Sequence, residues 1–120
     1  MRKSLTRQER LRGASLIREI LSIGEKVGCP GAKLLFRENG LAYTRVVFIP
    51  TRKMPTAVER NRARRLGKEA FRQVKQGVKA GYDLAFILYP GEFTYEERFQ
   101  QISSLLRKAG LLQERSEGSG

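Results

Sequence analysis

Residues 82–89 run Tyr-Asp-Leu-Ala-Phe-Ile-Leu-Tyr, nearly continuous apolar apart from Asp83. A strand with no polar alternation belongs inside a sheet, covered on both faces. In a chain of 120 residues, normally one domain, the remaining segments must provide that cover.

Suitable segments are present on either side. Residues 15–23 read as a short helix, with Ser15 as cap, Gly24 as stop and Leu16, Ile17, Ile20 and Leu21 as its apolar side. Residues 25–32, rich in Gly and Pro, read as a loop. Residues 33–38 and 41–49 read as strands joined by a hairpin turn at Asn39-Gly40. Residues 78–81 read as a connector into the apolar strand. Thr94-Tyr95-Glu96-Glu97 fits a capping box. The helix behind it presents Tyr95, Phe99, Ile102, Leu106 and Ala109 as its buried stripe, and Gly110 ends it. Residues 1–14 are basic and irregular, and residues 113–120 read as a disordered polar tail. The sum is one α+β domain over residues 1–112, with no internal repeat.

Between the strands lies the most highly charged stretch. Residues 52–72 carry eight Lys or Arg against two Glu, a net +6 that is half of the chain's +12. Thr56 and Glu59 fit a second capping box, with Pro55 stopping any strand that runs in. Ala63, Leu66, Ala70 and Val74, flanked by Phe71, recur at helical spacing and form the stripe to be buried. At about 100° per residue, Asn61, Arg65, Lys68 and Arg72 fall on the opposite side, with Arg60, Arg62 and Arg64 on the shoulders. A solvated helix face normally alternates charge sign. Here Arg60, Arg64, Lys68 and Arg72 follow one another at i, i+4, a repulsion that a polyanionic partner relieves.

Other functions fit less well. There is no apolar run near 18 residues and no apolar segment behind Arg2 and Lys3, so the chain reads as soluble and cytoplasmic. Cys29 is the lone cysteine, without an intrachain disulfide partner or metal-ligand spacing, and there is no histidine. Metal-assisted phosphodiester cleavage needs clustered carboxylates, and Asp83 is the one aspartate. Glu59 and Glu69 are explained by capping and intrahelical pairing. No protein active site is expected.

The segment Ala57-Val58-Glu59-Arg60-Asn61-Arg62-Ala63-Arg64-Arg65-Leu66, followed by Lys68-Glu69-Ala70-Phe71-Arg72, resembles the "RNR" signature of the bacterial ribonuclease P protein family. The resemblance extends to Arg45-Val46-Val47-Phe48-Ile49 with Arg52-Lys53 upstream and to Gly81-Tyr82-Asp83-Leu84-Ala85-Phe86-Ile87 downstream. Arg10-Leu11-Arg12 and Gly24 bracket an N-terminal helix of fitting length, and the match covers about residues 5 to 110. It implies an α-β-β-(β)-α-β-α sandwich, ribosomal-protein-S5-domain-2-like, with the basic helix as a left-handed crossover against the usual right-handed rule.

It also implies a non-catalytic subunit of an endoribonuclease that removes the 5′ leader of precursor tRNA. The RNA subunit performs the chemistry with Mg2+, and the protein alone holds no cofactor. The RNA-subunit contacts implied are Arg52, Lys53, Arg60, Asn61, Arg62, Arg64, Arg65, Lys68 and Arg72. The leader would lie between the sheet and the N-terminal helix. There Ile17 and Leu21 stand where the family commonly has two Phe, and neither can stack on a base. Gly31 and Ala32 likewise replace aromatics, Pro55 replaces a Gly, and Gly67 stands where an apolar residue is usual. Leader contacts are therefore expected from Arg12, Lys33, Arg45 and Phe48 beside Ile17 and Leu21, with a place in the core as the alternative for Phe48. Neither a membrane nor an obligate protein partner is implied. A ribosomal RNA binder and a DNA-binding architectural protein are the competing readings.

Overall fold

The computed structural model describes residues 7–112, so the readings made of Arg2, Lys3 and the 113–120 tail lie outside the described residues. Its sheet has four strands in the order β1 (Glu25–Cys29), β2 (Ala32–Glu38), β4 (Tyr82–Leu88) and β3 (Arg45–Pro50). The apolar strand β4 takes an interior place, antiparallel to β2 and parallel to β3. Helix α1 (Ala14–Ile23) covers one face, while α2 (Ala57–Val74) and α3 (Tyr95–Lys108) cover the other.

Strand alternation divides the core accordingly. Leu34, Phe36, Val46, Phe48, Leu84, Phe86 and Leu88 face α2 and α3. Leu35, Ala85, Val47, Ile49 and Ile87 face α1, where Ile20 and Leu11 complete a smaller cluster. Backbone pairing of Arg10 with Val46 and the Leu11 N–H on Val46 O (2.9 Å) shield the outer edge of β3.

The Asn39-Gly40 hairpin is not formed. Gly40 does turn at φ +74°, but β2 and β3 both pair with β4, which separates them. Burial of the most apolar strand between two partners outweighs a local turn preference. The Asn39 side chain works across the loop instead, donating to Tyr43 O (3.2 Å) and the Asp83 carboxylate (2.9 Å) and accepting from Leu41 N (2.7 Å). Residues 41–44 accordingly lie outside β3.

The segment expected as a loop contains β1, whose hairpin with β2 turns at Pro30-Gly31, with Gly31 at φ +92°. Gly and Pro mask this strand in the sequence, although Val27 and Cys29 pack against the larger core. Helix α1 begins after Gly13 rather than at Ser15 and has no side-chain cap. Gly24 ends it as expected, for a packing reason: at φ −68° it is conformationally ordinary, but a Cβ would lie 2.7 Å from Ile20 O.

Helix α2 has half of its predicted capping box, the Thr56 hydroxyl accepting from Glu59 N at 3.1 Å. The Thr94 box of α3 is complete. The fully buried positions of α2 are Ala63, Gly67, Ala70 and Phe71, so Gly67 takes the place in the core expected for Leu66. Phe48 is the cause. Its ring stacks on Phe86 (centroids 5.4 Å) and meets Phe71 edge-on, filling the space where a residue-67 side chain would go.

Candidate nucleic-acid interface

With its small residues turned to the sheet, α2 leaves its charges outside. Asn61, Arg62, Arg65 and Lys68 are exposed, and Arg52 and Lys53 are exposed in the turn before the helix. The structure sorts these cations by how far each is already engaged. Arg65 and Lys68 form no intramolecular hydrogen bond or ion pair among the described residues. Arg62 donates to Phe93 O (3.2 Å) and Arg64 to the Asn61 carbonyl oxygen (2.7 Å), which leaves the exposed Asn61 amide N–H groups without a protein acceptor among the described residues. Arg60, half-buried, donates to Met54 O (2.9 Å), and Arg72 pairs with Glu69 (2.7 Å). Arg60 and Arg62 also lie in the first turns of α2, where the helix dipole disfavours positive charge.

The α1 face is less basic. Arg12 and Leu21 are exposed, Leu21 at 43%, while Ile17 and Lys33 are half-buried. Register places Lys33 across from Ile87, and Ile87 beside Ile49. These two isoleucines and Ile17 belong to the α1-face cluster. Together they give a half-open aliphatic strip with Lys33 at its side, but no aromatic surface.

One expected leader residue is corrected, and a second is already engaged within the molecule. Phe48 is 5% exposed and lies on the opposite side of the sheet, wedged between Phe71 and Phe86, so it meets no solute from the α1 face. The alternation of Val46 and Phe48 against Val47 and Ile49 carried that signal, but a sequence does not say which face each set takes. Arg45 lies on the α1 face with its guanidinium forked on Asp83, Nε to Oδ1 at 2.8 Å and Nη2 to Oδ2 at 2.7 Å. Those bonds hold its pKa above the ordinary arginine value. Asp83 is fully buried, so Arg45 is committed to neutralising it. Asp83, the interruption in the apolar run, is a buried anchor for Arg45 and Asn39.

A residue that sequence reading passed over organises the far end of the sheet. Arg98, on α3, is 2% exposed and donates to Gly31 O (3.1 Å), Tyr89 O (2.9 Å) and the Gln101 side chain (2.8 Å). The Phe93 ring lies 4.6 Å from its guanidinium carbon. Burial, with the Arg62 cation adding to it, pulls the Arg98 pKa below its ordinary value. Its position at i+4 from Thr94 on an amphipathic helix gave no sign of this. The β1–β2 turn, the end of β4 and the loop holding Arg62 thus share one buried cation. No three His, Cys, Asp or Glu side chains come together in a metal-holding cluster among the described residues.

A small α+β sandwich with a basic crossover helix bearing unengaged cations presents a surface suited to a polyanion. Residues 5–110 match the family model described as Ribonuclease P, and the chain belongs to that family, the bacterial ribonuclease P protein component. It is 37% identical over 105 residues to the ribonuclease P protein component of Thermotoga petrophila, covering 85% of each chain. With that of Nitrosococcus oceani it shares 38% over 87 residues, 72% of each. The solved RNase P protein from Thermotoga maritima superposes with a TM-score of 0.75 at 26% identity, covering 83% of this chain and 96% of that one. The Staphylococcus aureus protein has the same fold, with a TM-score of 0.79 at 18% identity and coverage of 88% and 98%.

Proposed function

We propose that this chain binds the catalytic RNA of ribonuclease P through the exposed face of α2 and the preceding turn, and the 5′ leader of precursor tRNA through the α1 face. The observation that carries this reading is the exposed cationic surface of Arg62, Arg65 and Lys68, of which Arg65 and Lys68 have no protein partner among the described residues. Phosphates supply the missing counter-charge, and release of their counterions drives association with little base selectivity. Catalysis belongs to the RNA subunit, whose Mg2+ ions supply the chemistry; the protein neutralises backbone repulsion and positions the leader. A cytoplasmic location accords with that task. Family membership favours this reading over a ribosomal or DNA-architectural one.

On the leader side, aliphatic contact at Ile17, Ile49 and Ile87 and charge at Lys33 and Arg12 replace base stacking. Stacking on an aromatic contributes about 1–3 kcal/mol per base, so leader affinity here is lower per nucleotide and more salt-dependent. The test is equilibrium binding to ribonuclease P RNA across a salt series. Arg65→Ala with Lys68→Ala should weaken binding uniformly and flatten the log K against log salt slope by about 1.5–2. An unchanged slope would remove α2 from the RNA interface.

A further inference from the structure

A cleft of about 260 Å3 opens between the first half of α2 and the loop that leads into α3. It is smaller than the roughly 300–1,000 Å3 of sites for drug-sized ligands, and its size suits one planar ring system. Met54, Ala63 and Leu66 give it apolar walls. Its polar groups are of two opposed kinds: the carboxylates of Glu59 and Glu92, and the guanidinium groups of Arg62 and Arg98. Neither carboxylate has an intramolecular hydrogen bond or ion pair among the described residues. Arg98, although buried, keeps one donor unused, since its Nε has no hydrogen-bond partner. The cleft therefore holds two exposed carboxylates that no protein group pairs, beside a buried arginine with one donor unused and an apolar wall.

A phosphate does not suit such a lining, because the two carboxylates repel it. A nucleobase does, and the donor and acceptor pattern selects which one. A carboxylate only accepts and a guanidinium only donates. Guanine presents N1–H and N2–H donors on one edge and the O6 and N7 acceptors beside them, matching both. Adenine and cytosine put a ring-nitrogen acceptor against the carboxylate, and uracil flanks its single N–H with two carbonyl oxygens.

We propose that this cleft receives one unpaired guanine of bound RNA, its N–H edge on Glu59 or Glu92 and its O6/N7 edge on the arginine side. The proposal rests on the reading of α2 as the RNA-binding helix, and adds a base-specific contact to an otherwise phosphate-directed surface. Arg62, tied to Phe93 O, stands at the cleft as well as on the outer surface, so phosphate binding and base capture are adjacent.

The test uses the full 15N-labelled chain titrated with GMP, AMP, CMP and UMP, reading the Arg98 Nε–H and the Gly91 and Glu92 amides. GMP should shift these signals saturably, with the other three nucleotides at least tenfold weaker. The near-isosteric variant Glu59→Gln/Glu92→Gln should keep the dispersed spectrum and lose GMP binding at least tenfold. In complex with ribonuclease P RNA, a guanine-specific N1/N2 probe should find a base that the wild-type chain protects and the variant leaves reactive. Equal shifts from all four nucleotides, competed by inorganic phosphate, would overturn the proposal in favour of a phosphate subsite. GMP binding without any such protected guanine would overturn it in favour of a free-nucleotide site. No shift at these signals, in a chain that still binds the RNA, would dismiss the base pocket and leave the proposed function standing. A wild-type chain that fails to bind the RNA would instead sink the functional reading itself.

Discussion

A Cβ at position 67 would lie 2.8 Å from Cδ1 of Phe48, whose ring is held between Phe71 and Phe86 and has nowhere to retreat. Helix propensity alone says that Gly67→Ala should stabilise α2 by about 1 kcal/mol. Overpacking a filled core costs about 1–3 kcal/mol and opposes it. The expected outcome of chemical denaturation is a net loss of about 1 kcal/mol for Gly67→Ala, largely recovered when Phe48→Leu accompanies it; a stabilised single variant would show that the ring yields. Removal of Arg45 strands the fully buried Asp83 carboxylate. Breaking a buried pair costs about 3–5 kcal/mol, and the partial exposure of Arg45 places Arg45→Ala near 3. Its leader affinity, measured well below the lowered melting temperature, should match wild type, because the guanidinium is forked on Asp83. A selective loss of leader binding at full stability would restore Arg45 to the leader surface.

At the scale of the element, α2 performs two tasks on opposite sides. Its small residues let the sheet approach, and its cations face outward in graded states of engagement. That gradation predicts an ordering. Alanine at Arg65 or Lys68 should weaken RNA binding and leave thermal stability unchanged, because no intramolecular bond is lost. Arg60→Ala should lower the melting temperature as well, since the Arg60 guanidinium secures Met54 O at the start of the helix. Parallel RNA titrations and thermal melts of the three variants check this, and equal stability loss in all three would contradict it. The extent of this helix, its Thr56 start and its charged face were legible in the sequence because periodicity and capping are local. Which of its cations already have partners was not, since Met54 O and Phe93 O reach it from other segments.

For the whole molecule, the α+β class and the both-faces burial of β4 followed from its nearly continuous apolar run. The pairing order did not, because Asn39-Gly40 signals a hairpin that the sheet overrides by inserting β4 between β2 and β3. The α1 face proposed for the leader was legible in part. Ile17, Leu21, Lys33 and Arg12 belong to the α1 side by position or register, whereas Phe48 turned inward and Ile49 and Ile87 went unread. A period of two tells that residues alternate but not towards which layer. The resulting molecule keeps its two proposed RNA surfaces on opposite faces of one sheet, so damage to each should be separable. Ile17→Ala with Lys33→Ala should reduce affinity for precursor tRNA carrying a leader but not for mature tRNA, with ribonuclease P RNA binding unchanged. Equal loss for both tRNA forms would argue against a leader site on that face.

The most direct measurement of the central claim is single-turnover cleavage of a leader-bearing precursor tRNA by a bacterial ribonuclease P RNA at low Mg2+, with and without this protein. A large stimulation is expected, absent for the protein alone and lost when Arg62, Arg65 and Lys68 become alanine. A cognate RNA that binds the protein tightly yet cleaves no faster would contradict it.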